Sequence, residues 1–250
     1  MKEHKARKRF GQNFLHDGAV IERIVQAINP KADDALIEIG PGLGALTTPV
    51  LKLAKKLTCI ELDRDVIPIL KNKCEGIGEL NVVSADVLNI DFTPFYTDKK
   101  LRVYGNLPYN ISTPLLFHLF KHNHVINDMT FMLQKEVVER MVAVANDDAF
   151  GRLSITVQYY CQPDLLFIVP PEAFDPAPKV HSAIVRLVPH EKRALDAAQE
   201  VVFANLVSLA FNARRKTLRN VWKGVVDPSV LEALQIDNNL RPENIRLEQY

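Results

Sequence analysis

Cysteine is scarce in this sequence. Its 250 residues include only Cys59, Cys74 and Cys161, widely spaced and with no C-x-x-C pair. That argues against a disulfide framework and a cysteine-rich zinc site, and it points to a reducing, cytoplasmic setting. Long apolar runs are missing too. None approaches the roughly 18 to 20 residues that a membrane helix needs, so no membrane partner is expected. Residues 1–10 are too basic and too poor in apolar side chains to read as a signal peptide. Net charge is nearly absent, with 31 Lys+Arg against 30 Asp+Glu giving +1. Hydrophobic residues at 47% and charged residues at 24% exclude a wholly disordered chain. The length suits one large domain, or one domain with a smaller appendage.

The charge that is present is unevenly placed. Lys2, Lys5, Arg7, Lys8 and Arg9 crowd the start against Glu3 alone, and Arg214, Arg215, Lys216, Arg219 and Lys223 cluster with no acid among them. Two basic patches on a near-neutral chain suggest a polyanion bound at chosen faces. On charge alone, a solvated tail and a solvated helix face explain them better.

Along the chain, strands and helices alternate. Asp17 reads as an N-cap, and Val20, Ile21, Ile24, Val25 and Ile28 then recur at helical spacing until Asn29-Pro30. Strands are expected over 35–39, 57–62, 80–84, 101–104 and 129–133. Helices are expected from Leu46 to Leu53 and over 66–73, 113–122 (with Pro114 at the first helical position) and 135–145. Such βαβ units predict an α/β fold with a mostly parallel sheet. Residues 155–161, 165–169 and 180–188 read as strands without a clear helix between them, predicting antiparallel strands that close one edge. After Pro189 the pattern is helical only: 194–212, 216–223, 228–234 and a last segment from Pro242. The reading is therefore two domains, 1–189 and an all-helical 190–250. Tyr250 falls inside what reads as a helix, so a few further residues are expected beyond it.

Gly40-x-Gly42-x-Gly44 sits between a strand and a helix, where glycine permits a sharp turn and close approach to a ligand. Glu38 stands two residues before it. An acid there would repel a pyrophosphate but suits an ammonium or sulfonium, which favours S-adenosylmethionine over NAD. Glu61 follows the second strand about 20 residues on, where a carboxylate can accept from both ribose hydroxyls. Asp63 is its near neighbour, but Glu61 lies nearer the strand end. Asp86 ends the third strand and can accept from an adenine amino group; taken alone, it reads as a turn or cap aspartate.

Asn106-Leu107-Pro108-Tyr109 ends the fourth strand at the same sheet edge. It suits methylation of an exocyclic amine, whose lone pair is delocalised into the ring. Acceptors at the amine hydrogens, the Asn106 side-chain oxygen and the Leu107 carbonyl, would favour a more tetrahedral nitrogen and free that lone pair. Pro108 stiffens the turn, and Tyr109 offers a ring on which a flipped base can stack, worth roughly 1 to 3 kcal/mol. Neither a metal nor a general base is required, because a sulfonium already carries a good leaving group. Catalysis would then be positioning and electrostatics.

These segments resemble a known family. The signature runs through 9–15 (RFGQNFL), 38–44, 106–112, 151–154 (GRLS), the Pro170-Pro171-x-x-Phe174-x-Pro176-x-Pro178-Lys179-Val180 loop, and Phe211-x-x-Arg214-Arg215-Lys216-Thr217-Leu218. The chain is similar, over nearly its whole length, to the ribosomal RNA adenine dimethyltransferases, and most closely to their bacterial small-subunit branch. The resemblance implies a Rossmann-like class I methyltransferase domain with a small helical RNA-binding domain. It also implies dimethylation of N6 on two adjacent adenosines near the 3′ end of 16S rRNA, within the 30S subunit or its precursor, by a monomer with a role in subunit assembly. It places Asn13, Leu15, Gly40, Glu61, Asp86 and Asn106 at S-adenosyl-L-methionine, and Phe174 opposite Tyr109 around the target base; a core phenylalanine is an equal reading of Phe174. Arg214, Arg215, Lys216 and Arg219 become an RNA phosphate clamp, with the basic start of the chain as a second contact. The acidic 146–149 segment departs from the family pattern at no catalytic position.

His118 and His122, four apart on a helix, have metal-ligand spacing but no nearby acid to complete a set, so no metal is expected. The alternatives are a 23S rRNA or DNA adenine-N6 methyltransferase, or a non-catalytic RNA-binding assembly factor on the same fold. An intact glycine loop together with Asn106–Tyr109 favours an enzyme, and the C-terminal helices and the 170–180 loop weigh against DNA.

Overall fold

Apolar residues drive the sheet together. The strand Ala35–Ile39 is nearly all aliphatic, and Leu36 and Ile37 are both buried although they point to opposite faces. A strand buried on both sides belongs in the middle of a parallel sheet. The computed structural model describes residues 13–213 and 215–250. In chain order it contains β1 (Phe14–Leu15), α1 (Gly18–Ile28), β2 (Ala35–Ile39), α2 (Thr47–Ala54), β3 (Lys56–Glu61), α3 (Ile67–Cys74), β4 (Glu79–Ser84), β5 (Leu101–Asn106), α4 (Ser112–Phe120), β6 (Ile126–Gln134), α5 (Lys135–Val142), α6 (Arg152–Tyr160), β7 (Cys161–Val169), β8 (Phe174–Asp175), β9 (Ser182–Pro189), α7 (Ala197–Asn212), α8 (Leu218–Val221) and α9 (Pro228–Ala233).

Two compact units divide the chain. The first takes residues 1–138 and 164–189, the second 139–163 and 190–250. The boundary that the sequence pattern places near Pro189 is one of three points at which the chain passes between the units; the other two follow Val138 and Pro163.

In the first unit lies most of a seven-stranded sheet of order β4-β3-β2-β5-β6-β9-β7. The pairs β4–β3, β3–β2, β2–β5 and β5–β6 are parallel, and β9 runs antiparallel to β6. The strand order reverses at β2/β5, the switch point where ligands bind in such sheets. Leu36, Cys59, Tyr104 and Met132 join Ile24, Val50 and Leu70 of α1–α3 in one core cluster. α1 begins at Asp17, whose carboxylate accepts the Val20 N–H at 3.0 Å, and ends at Asn29 in the left-handed conformation. Its C-terminus is fastened by Arg102 of β5, whose guanidinium donates to Asp34 and to the Ile28 carbonyl, both at 2.6 Å, and to Asp128 at 2.8 Å.

The strand expected over 155–161 is a helix, α6. The β-branched run Ile155-Thr156-Val157 favours strand locally, but α6 packs on α7, with the Tyr159 and Phe203 rings 4.7 Å apart. Ser154 secures its start by accepting the Gly151 N–H at 3.0 Å. Burial outweighs propensity there. A further difference lies over 216–223, where only the single turn α8 is helical. Its flanking backbone is held by Leu218 N–H to Leu240 at 2.8 Å and Arg219 N–H to Asn238 at 3.0 Å. The segment from Pro242 forms two short 3-10 turns instead of a helix. A core of Ala210, Leu218, Trp222, Leu231, Ile236 and Ile245 holds this part of the second unit together.

Candidate active site

β2 runs straight into the glycine loop at the carboxyl edge of the sheet. Gly40, Gly42 and Gly44 all take positive φ, 66°, 52° and 80°, a region that L side chains rarely adopt. Gly40 N–H donates to the Ile60 carbonyl at 3.0 Å, tying the loop to β3. Glu61, the last residue of β3, then braces it: one carboxylate oxygen accepts the Gly42 N–H at 3.1 Å and the other the Asp63 N–H at 2.8 Å. Burial pushes the Glu61 carboxyl up, and those N–H groups pull it back. A carboxylate has about four lone-pair sites, so it can still accept from a ligand hydroxyl.

These loops surround a cavity of about 340 Å³. Glu38, Glu61 and Asp86 line it, and among the described lining residues there is no Lys, Arg or His. Asp63 is not part of the wall; its carboxylate accepts the Asp65 N–H at 3.2 Å. Glu38 is 2% exposed and accepts from the Tyr104 hydroxyl at 3.1 Å and the Cys59 thiol at 3.7 Å. Burial raises its pKa to about 7, against the opposing pull of the hydrogen bonds. Asp86 takes the cap position that the sequence suggested. It lines the cavity and also caps a 3-10 turn, accepting the Leu88 N–H at 3.0 Å.

β5 delivers the Asn106–Tyr109 segment to the same cavity. Asn106 donates its side-chain N–H to the Asn13 carbonyl at 3.3 Å. Leu107 is buried, and its N–H donates to Met132 of β6 at 3.2 Å. Tyr109 shares a hydrogen bond of 2.8 Å between its hydroxyl and that of Ser182. β1 and β8 pair antiparallel, setting Leu15 opposite Phe174. Leu15 and Phe174 line the cavity and belong to the core cluster, Phe174 being only 3% exposed.

Three neighbours of the cavity were given no role in the sequence reading, although Phe14 lies within the 9–15 signature. A Cβ on Gly105 would lie 2.3 Å from the Ile39 carbonyl oxygen, so only glycine lets β5 bring Asn106 this close to β2. A glycine inside a strand pattern, just before the Asn-Leu-Pro-Tyr turn, was the available signal. Phe14 backs the loop, its ring 3.4 Å from where a Gly42 Cβ would sit. Ser182 had no signal in sequence.

Of the expected phosphate clamp, Arg215, Lys216 and Arg219 are in the second unit, where Arg215 and Arg219 are exposed together with Lys216. Arg214, the basic residues of 2–9 and the 9–12 part of the N-terminal signature lie outside the described residues. His118 turns its Nε2 to the Ile90 carbonyl at 2.7 Å and packs with His122 and Phe92.

The model of one family, described as ribosomal RNA adenine dimethylase, matches residues 3–250. The chain belongs to that family. It is 54% identical over 247 residues to a ribosomal RNA small subunit methyltransferase A of Marinobacter nauticus, covering 99% of this chain and 90% of the relative. A protein of the same name from Legionella pneumophila is 52% identical over 247 residues, covering 99% and 96%. Among solved structures, a dimethyladenosine transferase from Plasmodium falciparum superposes with a TM-score of 0.81 at 30% identity, covering 94% of each chain. The 23S rRNA methyltransferase ErmE shares the fold, with a TM-score of 0.75 at 24% identity, covering 95% of this chain and 96% of that one. The chain is thus an rRNA adenine dimethyltransferase of Rossmann-like fold, and its methyl donor is S-adenosylmethionine.

The cavity fits that donor. Three carboxyl groups in the lining, with no Lys, Arg or His among the described lining residues, favour a sulfonium and an ammonium and can accept from ribose hydroxyls. A dinucleotide pyrophosphate would face the same carboxyls at a Coulombic penalty.

Proposed function

We propose that this chain dimethylates N6 of two adjacent adenosines near the 3′ end of 16S rRNA, on the 30S subunit or its precursor. We further propose that it does so as a cytoplasmic monomer and that the modification belongs to small-subunit assembly. One observation carries the reading: Glu38, Glu61 and Asp86 line the same cavity as the Asn106–Tyr109 turn. The small-subunit names of relatives above 50% identity favour 16S over 23S rRNA.

In this reading Glu61 holds the ribose hydroxyls, Asp86 the adenine amino group, and Gly40, Asn13 and Leu15 shape the cavity around the donor. Bound S-adenosylmethionine supplies an electrophilic methyl group on a good leaving group. Asn106 Oδ1 and the Leu107 carbonyl accept from the target amine, and the freed lone pair forms the N–C bond as the donor's S–CH₃ bond breaks and leaves its electron pair on sulfur. The nitrogen then gives up one proton to water for each methyl received. Tyr109 and Phe174 flank the base, while the exposed Arg215, Lys216 and Arg219, with Arg214, hold RNA phosphate.

Primer extension across 16S rRNA from a strain lacking the gene tests this directly. The expected result is loss of two adjacent stops near the 3′ end and their return on complementation. An unchanged 16S pattern with a missing 23S stop would move the substrate to the large subunit. Unchanged patterns in both, with an assembly defect, would favour a non-catalytic factor.

A further inference from the structure

We infer that Ser182 is a positioning residue for methyl transfer: the hydrogen bond between its Oγ and the Tyr109 hydroxyl holds in place the far end of the ring against which the target base stacks. The inference rests on the reading of Tyr109 as that stacking platform.

Tyr109 follows Pro108 in a turn, so its backbone alone leaves the ring free to rotate about χ1 and χ2. Backbone hydrogen bonds fix the turn that carries the ring, and the bond to Ser182 then restrains χ1. The Ser112 hydroxyl donates to the Tyr109 carbonyl at 3.0 Å, and Leu107 N–H to Met132 at 3.2 Å, which hangs the turn from β6. Ser182 hangs from the same strand, as the first residue of β9 and opposite Gln134 in the ladder. The neighbouring Lys135 N–H donates to the His181 carbonyl at 2.9 Å and reinforces that end. Ser182 is wholly buried, whereas Tyr109 is partly exposed at the cavity wall. The 2.8 Å bond therefore ties a partly wet ring to a rigid, dry anchor. β9 also follows directly on the proline-rich loop that begins at β8, where Phe174 lies, so the bond links the turn to the segment carrying the proposed second face of the base pocket.

The test uses the full-length protein, undermethylated 30S particles and single-turnover rates at saturating S-adenosylmethionine. Tyr109→Phe and Ser182→Ala should each slow transfer about three- to tenfold, the removal of one neutral hydrogen bond expressed as a rate. The double variant should be no slower than the slower single variant, because both remove the same bond. Cofactor affinity should stay at the wild-type value in all three. Tyr109→Ala separates the two ideas. A strong defect there, with wild-type rates in Tyr109→Phe and Ser182→Ala, overturns the tether and leaves the platform standing. Near-normal rates in Tyr109→Ala overturn the platform and the tether with it. Multiplicative losses in the double variant, or a slow Ser182→Ala beside a normal Tyr109→Phe, also overturn the tether. Tyr109→Phe removes only a hydroxyl, so it keeps the question open to measurement if Ser182→Ala packs poorly.

Discussion

The side-chain amide of Asn106 faces the main-chain carbonyl of Asn13 at 3.3 Å. A carbonyl can only accept, so the Asn106 NH₂ must point to Asn13 and its Oδ1 is left as an acceptor. The N-terminal strand segment thereby sets the orientation of the amide proposed to activate the target amine.

Asn106→Ala should therefore lower single-turnover methyl transfer by about 10²- to 10³-fold, the range for removing one preorganised hydrogen-bonding group from a transition state. The chemical unfolding midpoint should hardly move. S-adenosylmethionine affinity should fall as well, because Asn106 and Asn13 both line the cavity. A variant with near-normal transfer rates would contradict the assignment.

Glu61 and Asp63 make a controlled pair. Glu61 lines the cavity and Asp63 does not. Glu61→Ala should weaken S-adenosylmethionine binding by about 1 to 3 kcal/mol, because it removes charged hydrogen bonds; isothermal titration with EDTA present reads the change. Asp63→Ala should bind nearly as wild type. Equal affinities across all three proteins would remove Glu61 from the ribose.

Glu38 gives a pH signature. Its carboxyl titrates at about 7 in the folded protein against an ordinary value of 4.5. Between those values the native state holds a proton that the unfolded chain has released, so its stabilising contribution is full below pH 4.5 and declines until pH 7. The decline is on the order of 3 kcal/mol at about 1.36 kcal/mol per pH unit. Urea unfolding of the ligand-free protein should thus show Glu38→Gln gaining on the wild type as pH rises from about 5 to about 7.5. A constant difference across that range would mean the buried carboxyl is not the titrating group.

For the basic cluster, Arg215→Ala/Arg219→Ala should weaken binding to 30S particles and shallow the log–log salt slope by about 0.7 to 0.9 for each phosphate no longer neutralised. S-adenosylmethionine affinity should not change, since these side chains belong to the second unit and the cavity proposed to hold the donor is lined by residues of the first. A double variant with a lower melting temperature and an unchanged salt slope would assign the arginines to packing instead.

The parallel sheet was legible in the sequence because its strands are short, nearly continuous apolar runs set off by helical periodicity, and both signals are local. So was most of the wall of the cavity at the sheet edge. Gly40–Gly44, Glu38 and Glu61 sit at fixed offsets from strand ends, and a βα turn converts sequence offset into position. Burial decided the rest. Ile155-Thr156-Val157 looks like strand to any local rule, yet forms a helix because Phe203 and Val207, some 50 residues away, supply the surface it packs on. Gly105 matters only because Ile39 of another strand lies against it. Asn13 reaches Asn106, and Ser182 reaches Tyr109, across separations of 93 and 73 residues. Sequence determined which chemistry stands at the sheet edge, since residue type and strand period are properties of the chain itself. Which neighbours aim that chemistry was left to the tertiary structure, because a hydrogen bond between distant residues exists only after the sheet has brought their strands together.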